Sequence, residues 1–435
     1  MRLYKFIKEY NLFNLFKSAK KLIDIGFLQI FSSTTINQIV NFAYGILIIR
    51  LIPKSNFGMY SYAHTIFQTF MIFSGFGIAS AILQIASENA GNSLKIAQLT
   101  QFGLFFGLAF NIIISIGILL MSLFIQLPIK SSNYLLGLHF LLPFLIFIKD
   151  VQKKALRVEF KNKEFAQANM IDTILIACGA IFGALIFQEK GVIYGQYFAS
   201  VITVVLFLKF YHTPSVIKNV ELSRREKREM LQIAGMTTLN DGLTHMFSLV
   251  STFLLGIIIA DENIIASYKA ATVIPMALNF LPVALITFVY PYFAKNRANK
   301  SWVIKNYKLY ILFAGCGFFI IAFVGILTAS SVIRLVFSAD YVDIAVAYRI
   351  LMIGFFFSGT FRMIAINLLY TQRKLKTILF LNVTGALVNI LLSLFLIPKY
   401  QISGAALSYT FSMIIMGVIA TFAFINSVRR ISVVI

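Results

Sequence analysis

The chain has 435 residues, of which 59% are hydrophobic and 12% are charged, and its formal net charge is +22. A soluble domain of this size is typically about half apolar and a quarter charged, so the composition excludes an ordinary soluble enzyme and indicates a membrane protein. In a membrane protein the excess of Lys and Arg marks cytoplasmic loops, so it does not indicate a nucleic-acid partner.

Apolar runs recur along the whole chain, and each is long enough to cross a hydrocarbon layer of about 30 Å. Because lipid cannot satisfy free backbone groups, each run is expected to be a helix. The basic residues concentrate in alternate loops, which places both termini in the cytoplasm. We therefore predict an all-α integral membrane protein with twelve transmembrane helices in two six-helix lobes. The predicted spans are 24–49, 60–86, 99–126, 132–149, 165–187, 191–209, 231–259, 264–293, 307–329, 345–370, 376–397 and 402–427.

The charge and hydropathy pattern also predicts the domain boundaries. The first residues place apolar side chains on one helical face with lysines elsewhere, which is typical of an amphipathic helix in the membrane interface. The predicted segments are an interfacial N-terminus (1–23), an N-terminal lobe (24–209), a cytoplasmic linker (210–230), a C-terminal lobe (231–427) and a cytoplasmic tail (428–435).

Short segments recur at a nearly constant offset of a little over 200 residues. Residues 34–37 (TTIN) resemble residues 237–240 (TTLN), and residues 89–92 (NAGN) resemble residues 296–299 (NRAN). Because each lobe has six predicted spans, the two copies have the same orientation in the membrane. This predicts a parallel repeat whose halves face each other across a substrate cleft.

Polar residues inside the spans are the candidate functional residues, since a charge at the bilayer centre costs about 2.5–3.5 kcal/mol. Arg362 lies deepest. We interpret it either as a cation lining a hydrated cavity, or as a residue that snorkels inward or pairs with a carboxylate. Lys269 and Arg349 lie near the outer ends of their spans, within snorkelling reach. The candidate substrate-binding residues are Arg362, Asn37, Gln38, Asn41, His64, Gln68, Asn240, His245, Lys269 and Arg349.

Two carboxylates inside spans, Asp172 and Asp241, are candidates for coupling to a proton or sodium ion, or for neutralising an arginine. The two cysteines, Cys178 and Cys316, are predicted to be small core residues without a metal or a disulfide. The sequence has no Walker A motif and no hydrolase or metalloprotease motif. We therefore predict no catalytic residue, no cofactor and no metal.

Three stretches carry a resemblance to a known family. Residues 46–63 (ILIIRLIPKSNFGMYSYA) are similar to the entry motif of bacterial polysaccharide transporters, with matches at Arg50, Leu51, Pro53, Phe57, Gly58 and Tyr60. Residues 156–175 and 370–410 extend the likeness. The chain thus resembles the Wzx-type O-antigen and capsule flippases of the multidrug/oligosaccharidyl-lipid/polysaccharide (MOP) exporter superfamily.

The resemblance implies a transporter, not an enzyme, in the bacterial inner membrane. Its expected cargo is an undecaprenyl-pyrophosphate-linked oligosaccharide for O-antigen, capsule or exopolysaccharide assembly, moved by alternating access. A polysaccharide polymerase and a chain-length regulator are its expected partners, along with membrane lipid. Two alternatives stay open: a multidrug or other small-molecule or ion antiporter of the same superfamily, and a membrane-embedded polysaccharide polymerase or ligase.

Overall fold

The computed structural model describes residues 27–89, 91–210 and 222–430, and within them all regular secondary structure is helical. The predicted interfacial segment 1–23 lies outside the described residues. So do most of the predicted linker and the last residues of the predicted tail.

The first half of the chain forms seven α-helices and one short 3-10 turn at Ser74–Gly77. They are α1 (Phe27–Leu51), α2 (Lys54–Met71), α3 (Ile78–Glu88), α4 (Ser93–Phe124), α5 (Ser132–Leu138), α6 (Leu142–Val158) and α7 (Asn162–Phe210). The second half follows from Leu222 onward. Its helices are α8 (Arg224–Ile258), α9 (Glu262–Leu278), α10 (Phe280–Lys295), α11 (Lys300–Leu327), α12 (Ala329–Val336), α13 (Ala345–Phe357), α14 (Met363–Thr371) and α15 (Leu375–Arg429).

Membrane-length apolar helices dominate the described part of the chain. By length and composition seven helices can cross a membrane, or nine if each of two bent pairs forms one span. One bent pair is α5 with α6, at 43°, and the other lies within α8, at 57°. The all-α membrane fold is confirmed, while the number of twelve spans and the side of the termini stay predictions.

The two longest helices each contain a reversal of the chain. In a straight helix Gly183 and Gly191 would lie about 12 Å apart. Instead a Cβ on Gly183 would meet the Gly191 backbone, and Gly179 and Gly195 face each other in the same way. The backbone leaves helical geometry between them, at Phe187 and Gln188. Thus α7 is two antiparallel helices whose glycines permit close backbone contact.

The last helix repeats this construction. In α15 the backbone departs from helical geometry at Gln401, and a Cβ on Gly404 would meet the Leu396 carbonyl. Both reversals fall between adjacent predicted spans of the sequence. The repeat is therefore visible in the local backbone as well as in the residue pattern.

The two NxxN segments also have the same structural role in each half. Asn89 ends α3 and Asn92 caps α4, where its side chain accepts from the Lys95 backbone N–H. In the second half Asn296 ends α10, and Asn299 caps α11 by accepting from the Trp302 N–H. An Asn at the N-cap satisfies a backbone donor that the helix itself leaves free.

The apolar core is continuous at one end of the molecule and divided at the other. We call the end that carries the turn between α1 and α2 the closed end. There one cluster joins both halves, from Ile49 and Tyr62 to Tyr268 and Phe337. Toward the opposite end the cores separate into a cluster of the second half and a cluster formed by α3, α4 and α6 with the start of α8.

The hairpin geometry of α7 predicts a difference between two helical glycines. We expect Gly183→Ala to lower the free energy of unfolding by roughly 1–3 kcal/mol, since neither backbone can give way. Gly317 of α11 has open space at its Cβ position. Gly317→Ala should stabilise the helix by up to about 1 kcal/mol. Thermal unfolding in detergent measures both variants, and equal stability of the two would contradict the hairpin.

Candidate functional site

Interruptions of the membrane helices bring polar groups into the protein interior. Asn111 of α4 accepts from the Gly75 N–H at 3.1 Å, where α2 and α3 are separated by residues with positive φ. A π-helical turn at Ser358–Arg362 separates α13 from α14. Irregular backbone at membrane depth is tolerated where the protein or a cavity satisfies it, and π-turns are frequent at functional sites.

A polar cluster lies where α2 of the first half packs against α9 of the second half. Gln68 Nε2 lies 3.1 Å from His64 Nε2, and His64 Nδ1 lies 3.5 Å from His139 Nε2. His139 sits in the bend between α5 and α6 and is fully buried. Lys269 of α9 faces His64 within electrostatic range. Three predicted residues, His64, Gln68 and Lys269, are thus brought together.

Arg362 lies in the π-turn and is half-buried inside the second half of the protein. Its guanidinium stacks over the Phe247 ring at 4.9 Å, a cation–π contact, and its buried Nε has no hydrogen-bond partner. Within the described residues it forms no ion pair, so the carboxylate partner considered from the sequence is not found there. Arg349 is anchored differently, since its Nε donates to the Ile326 carbonyl at 3.3 Å.

Asp172 is held by two lysines of the neighbouring helix. Its carboxylate accepts from Lys149 Nζ at 2.7 Å and from Lys153 Nζ at 3.0 Å, and Lys149 also donates to Ser200 at 3.1 Å. Asp172 and Lys149 are both nearly fully buried. The ion pair joins α6 to both arms of α7, so a coupling ion at Asp172 would have to compete with two lysines.

The polar residues of α1 point in different directions. Asn37 is buried against α7, where its Nδ2 donates to the Asn169 carbonyl at 3.4 Å and its Oδ1 has no partner. Gln38 instead lines a cavity of about 110 Å³ between α1 and the junction of α9 with α10. Asn41 is exposed. Of the three, the structure thus places Gln38 in a cavity between the two halves.

The polar residues of α8 are also separated from one another. Asn240 donates to the Tyr370 hydroxyl at 3.4 Å within the second half. Asp241 and His245 are exposed on the same helix. Gly242 faces Ile72 of α2, so this part of α8 lies beside the first half.

The segment 46–63, which resembles the polysaccharide transporter motif, contacts the second half at the closed end. Arg50 donates through Nε to the Val336 carbonyl at 2.7 Å and through Nη2 to the Leu335 carbonyl. These carbonyls end α12, where a helix leaves acceptors free and its dipole favours a cation. Lys54 pairs with Asp343 at 3.1 Å and lies over the Tyr341 ring.

Glycine permits close backbone contact beside this polar contact. A Cβ on Gly58 of α2 would meet the backbone carbonyl of Glu262, the first residue of α9. Since both helices begin at the closed end, they run parallel from this point. The same interface reaches His64 and Lys269 about two turns further along.

The halves are also joined near the start of α8 by an ion pair between Lys95 and Glu226. The hydrogen bonds from Lys95 and Ser223 lower the pKa of Glu226 to about 2. The carboxylate is therefore ionised at every physiological pH. Its contribution to stability is present above its ordinary pKa and is lost only as the pH falls toward 2.

The sequence did not indicate the partners of these residues. Arg50 and Lys54 were recognised as part of a motif, but their partners lie roughly 285 residues away. Lys149 stands at the end of the predicted span 132–149, and its burial beside Asp172 was not predicted. The two cysteines were predicted to be core residues and are exposed, because an apolar helix side that faces lipid has the same composition as one that faces the core.

The whole fold aligns with the folds of several solved membrane proteins. A MATE-family multidrug resistance transporter of the MOP superfamily, in an inward-facing conformation, aligns with a TM-score of 0.74 and 18% identity over 91% of this chain and 96% of that one. The lipid II flippase MurJ, in an inward closed conformation, aligns with a TM-score of 0.72 and 16% identity over 93% and 90%. An outward-facing MATE transporter gives 0.66 and 16% identity over 95% and 97%. The protein therefore has the all-helical fold that these solved structures share.

The sequence comparisons define the family more narrowly. Residues 46–346 match the model of a family described as "Polysaccharide biosynthesis protein". A Shigella flexneri protein named "Putative O-antigen transporter" is 22% identical over 260 residues, which cover 58% of this chain and 61% of that protein. The chain belongs to the polysaccharide biosynthesis protein family. The predictions of family and of a multi-pass protein in the bacterial inner membrane are confirmed.

The ion pairs of Asp172 predict a cost when the carboxylate is removed. Asp172→Asn leaves a buried lysine without its counter-charge, and we expect the free energy of unfolding to fall by roughly 3–5 kcal/mol. The double variant Asp172→Asn with Lys149→Met removes the carboxylate and the more buried lysine. It should recover most of that loss, because the remaining Lys153 is only partly buried. Thermal unfolding in detergent measures both. A single variant as stable as the wild type would show that the pairs do not stabilise the fold.

Proposed function

We propose that the protein is a flippase that moves an undecaprenyl-pyrophosphate-linked oligosaccharide across the bacterial inner membrane for O-antigen, capsule or exopolysaccharide assembly. The observation that carries this proposal is the charge inside the helix bundle. Lys269 and Arg362 are half-buried, and neither pairs with a carboxylate in the described part of the chain. An unpaired cation at this depth favours binding of an anion.

The same charges favour an anionic lipid over a cationic drug as the cargo. A transporter of cationic drugs needs a carboxylate or an aromatic surface free to receive a cation. Of the two carboxylates in the predicted spans, the buried one, Asp172, is already bound to two lysines, and Asp241 is exposed on α8. A pyrophosphate head group is instead complementary to Lys269, with Gln68 and His64 supplying hydrogen bonds. Arg362 is the second candidate cation, and the aromatic face of Phe247 supports it on the side of the second half.

We further propose that the closed end is the periplasmic end and that transport proceeds by alternating access. The basic loops assigned to the cytoplasm lie at the other end of the predicted spans. There the apolar core is split into two main clusters, and the halves share only the one that includes the start of α8. The alignment with the inward-facing MATE transporter, which has a higher TM-score than that with the outward-facing one, supports this orientation. Opening would then require the contacts of Arg50, Lys54 and Gly58 to separate.

Parts of the function rest on sequence and family alone. We propose two lobes of six helices each, with the reversals in α7 and α15 counted as connections between spans. A polysaccharide polymerase and a chain-length regulator are the proposed partners. Asp241, which is exposed on α8, stays a candidate for ion coupling.

The anionic-cargo proposal predicts that removing a positive charge slows flipping, whereas a substitution that keeps the charge does not. We expect Lys269→Gln and Arg362→Gln each to lower the rate of flipping of lipid-linked oligosaccharide in vesicles by about tenfold or more, since a hydrogen bond to a charged group contributes about 1.5–3 kcal/mol. Lys269→Arg keeps the charge and should retain most activity.

A second substrate tests whether the effect comes from the phosphate. The wild type and the variants should flip a lipid with the same oligosaccharide but no pyrophosphate at nearly equal rates. Normal flipping of the pyrophosphate lipid by both Gln variants would refute the cationic site.

The alternating-access proposal predicts that the closed end must open. In a protein whose Cys178 and Cys316 are replaced by Ser, the pair Lys54→Cys and Asp343→Cys can be cross-linked by a short bifunctional thiol reagent. We expect the cross-link to abolish flipping, and a cleavable reagent should restore it on reduction.

A matched control uses two positions at the same end but within one half. Asn56 and Glu189 lie 2.8 Å apart through their side chains, and both belong to the first half. A cross-link between Asn56→Cys and Glu189→Cys should leave flipping intact. Undiminished flipping with positions 54 and 343 fully cross-linked would exclude opening at this end.

A further inference from the structure

His139, which is fully buried, and His64, which is half-buried, form a directed chain of hydrogen bonds. His139 Nδ1 lies 2.7 Å from the Leu135 carbonyl oxygen, which can only accept. The Nδ1 of His139 therefore carries a hydrogen, and in a neutral ring its Nε2 is an acceptor. His64 Nδ1 must then donate to it across 3.5 Å, which leaves His64 Nε2 to accept from the Gln68 amide at 3.1 Å.

This chain is fully satisfied with both rings neutral. The chain can take one further proton only if the hydrogen bond between His64 Nε2 and Gln68 reverses its direction. A proton added to either ring leaves His64 Nε2 as a donor, because His139 Nε2 and His64 Nδ1 share a single hydrogen between them. Gln68 must then turn its amide so that Oε1 accepts. Gln68 is exposed and His139 is fully buried, so the proton enters at Gln68.

The surroundings of the pair link this proton to a bound anion. The charged group that faces His64 from α9 is Lys269, which has no carboxylate partner in the described part of the chain. On its own helix His64 stacks on Tyr60 at 5.4 Å, and Gln196 of α7 donates to that tyrosine hydroxyl and to Tyr44 of α1. A second positive charge beside Lys269 is unfavourable until an anion compensates it.

We propose that the His64–His139 pair takes up a proton when an anionic head group binds at Lys269, so that cargo and proton enter the site together. This inference rests on the proposed function for the anion. It assigns proton coupling to the histidine pair in place of Asp172. Because binding of the anion favours the proton and the proton favours the anion by the same factor, the coupling is reciprocal. The uptake forms one N–H bond on a histidine ring and breaks one O–H bond of a hydronium ion from the solvent, and Lys269 remains protonated throughout.

The experiment measures protons taken up on binding of undecaprenyl pyrophosphate to the detergent-solubilised full chain. Calorimetric titration in two buffers of different ionisation enthalpy, at about pH 6.5 where histidine ordinarily titrates, gives the number of protons per bound lipid. The lipid's own phosphate also exchanges protons, so the informative quantity is the difference between variants. Because His64 also hydrogen-bonds the head group in the proposed site, we expect His64→Gln to bind the lipid more weakly. Per bound lipid, its proton uptake should be lower than that of the wild type by about half a proton or more.

A second variant guards against a simple folding defect. Gln68→Glu places a carboxylate acceptor at His64 Nε2 and should hold the proton before the lipid arrives. Its carboxylate also opposes the anion, so we expect weaker binding of the lipid and, per bound lipid, no additional proton uptake. Equal uptake by the wild type and both variants would overturn the role of the pair and leave the proposed function standing. Failure of the wild type to bind this lipid would overturn both.

Discussion

The main constraint on this structure is that two positive side chains, Lys269 and Arg362, lie inside the helix bundle without a carboxylate partner among the described residues. An isolated cation at the bilayer centre costs about 2.5–3.5 kcal/mol or more, so the fold must offset that cost locally. It does so with an aromatic face under Arg362 and with uncharged hydrogen-bonding groups near Lys269. The buried carboxylate of Asp172 does not neutralise either of these cations, because it pairs with Lys149 and Lys153 instead. The interior is thus left with a net positive charge that a bound anion would relieve.

The closed end joins the halves by contacts that are individually small. An exposed ion pair such as that of Lys54 contributes about 0.2–1 kcal/mol, and Arg50 binds two helix-terminal carbonyls that water could also satisfy. The larger component is the apolar core that both halves share there, tightened where Gly58 lets two backbones touch. A junction of this kind can be stable in one state and still separate without breaking a strong buried pair.

Composition and hydropathy predicted the membrane class, and the asparagine repeat correctly located equivalent helix junctions in both halves. The sequence could not predict the contacts, for a physical reason. In a membrane helix the lipid-facing side and the packed side are both apolar, so periodicity does not show which way a residue points. Cys178 and Cys316 were therefore placed wrongly. The break between α2 and α3, predicted as one span, and the partners of Arg50 depend on tertiary contacts that no local pattern contains.

The interface between α2 and α9 connects the site to the closed end. Gly58 touches Glu262 at its start, and His64 faces Lys269 about 9 Å further along the helix axis. Both helices are rigid over that distance, so a change of charge at His64 and Lys269 acts on the same pair of helices that must part at Gly58. Under the proposed coupling, a bound anion and its proton alter the electrostatics of this interface. Within the first half they change only the hydrogen bonds among His139, His64 and Gln68. A ligand can shift one half against the other only if it binds with different free energy when the α2–α9 interface is closed and when it is open, and a charge at this interface provides such a difference.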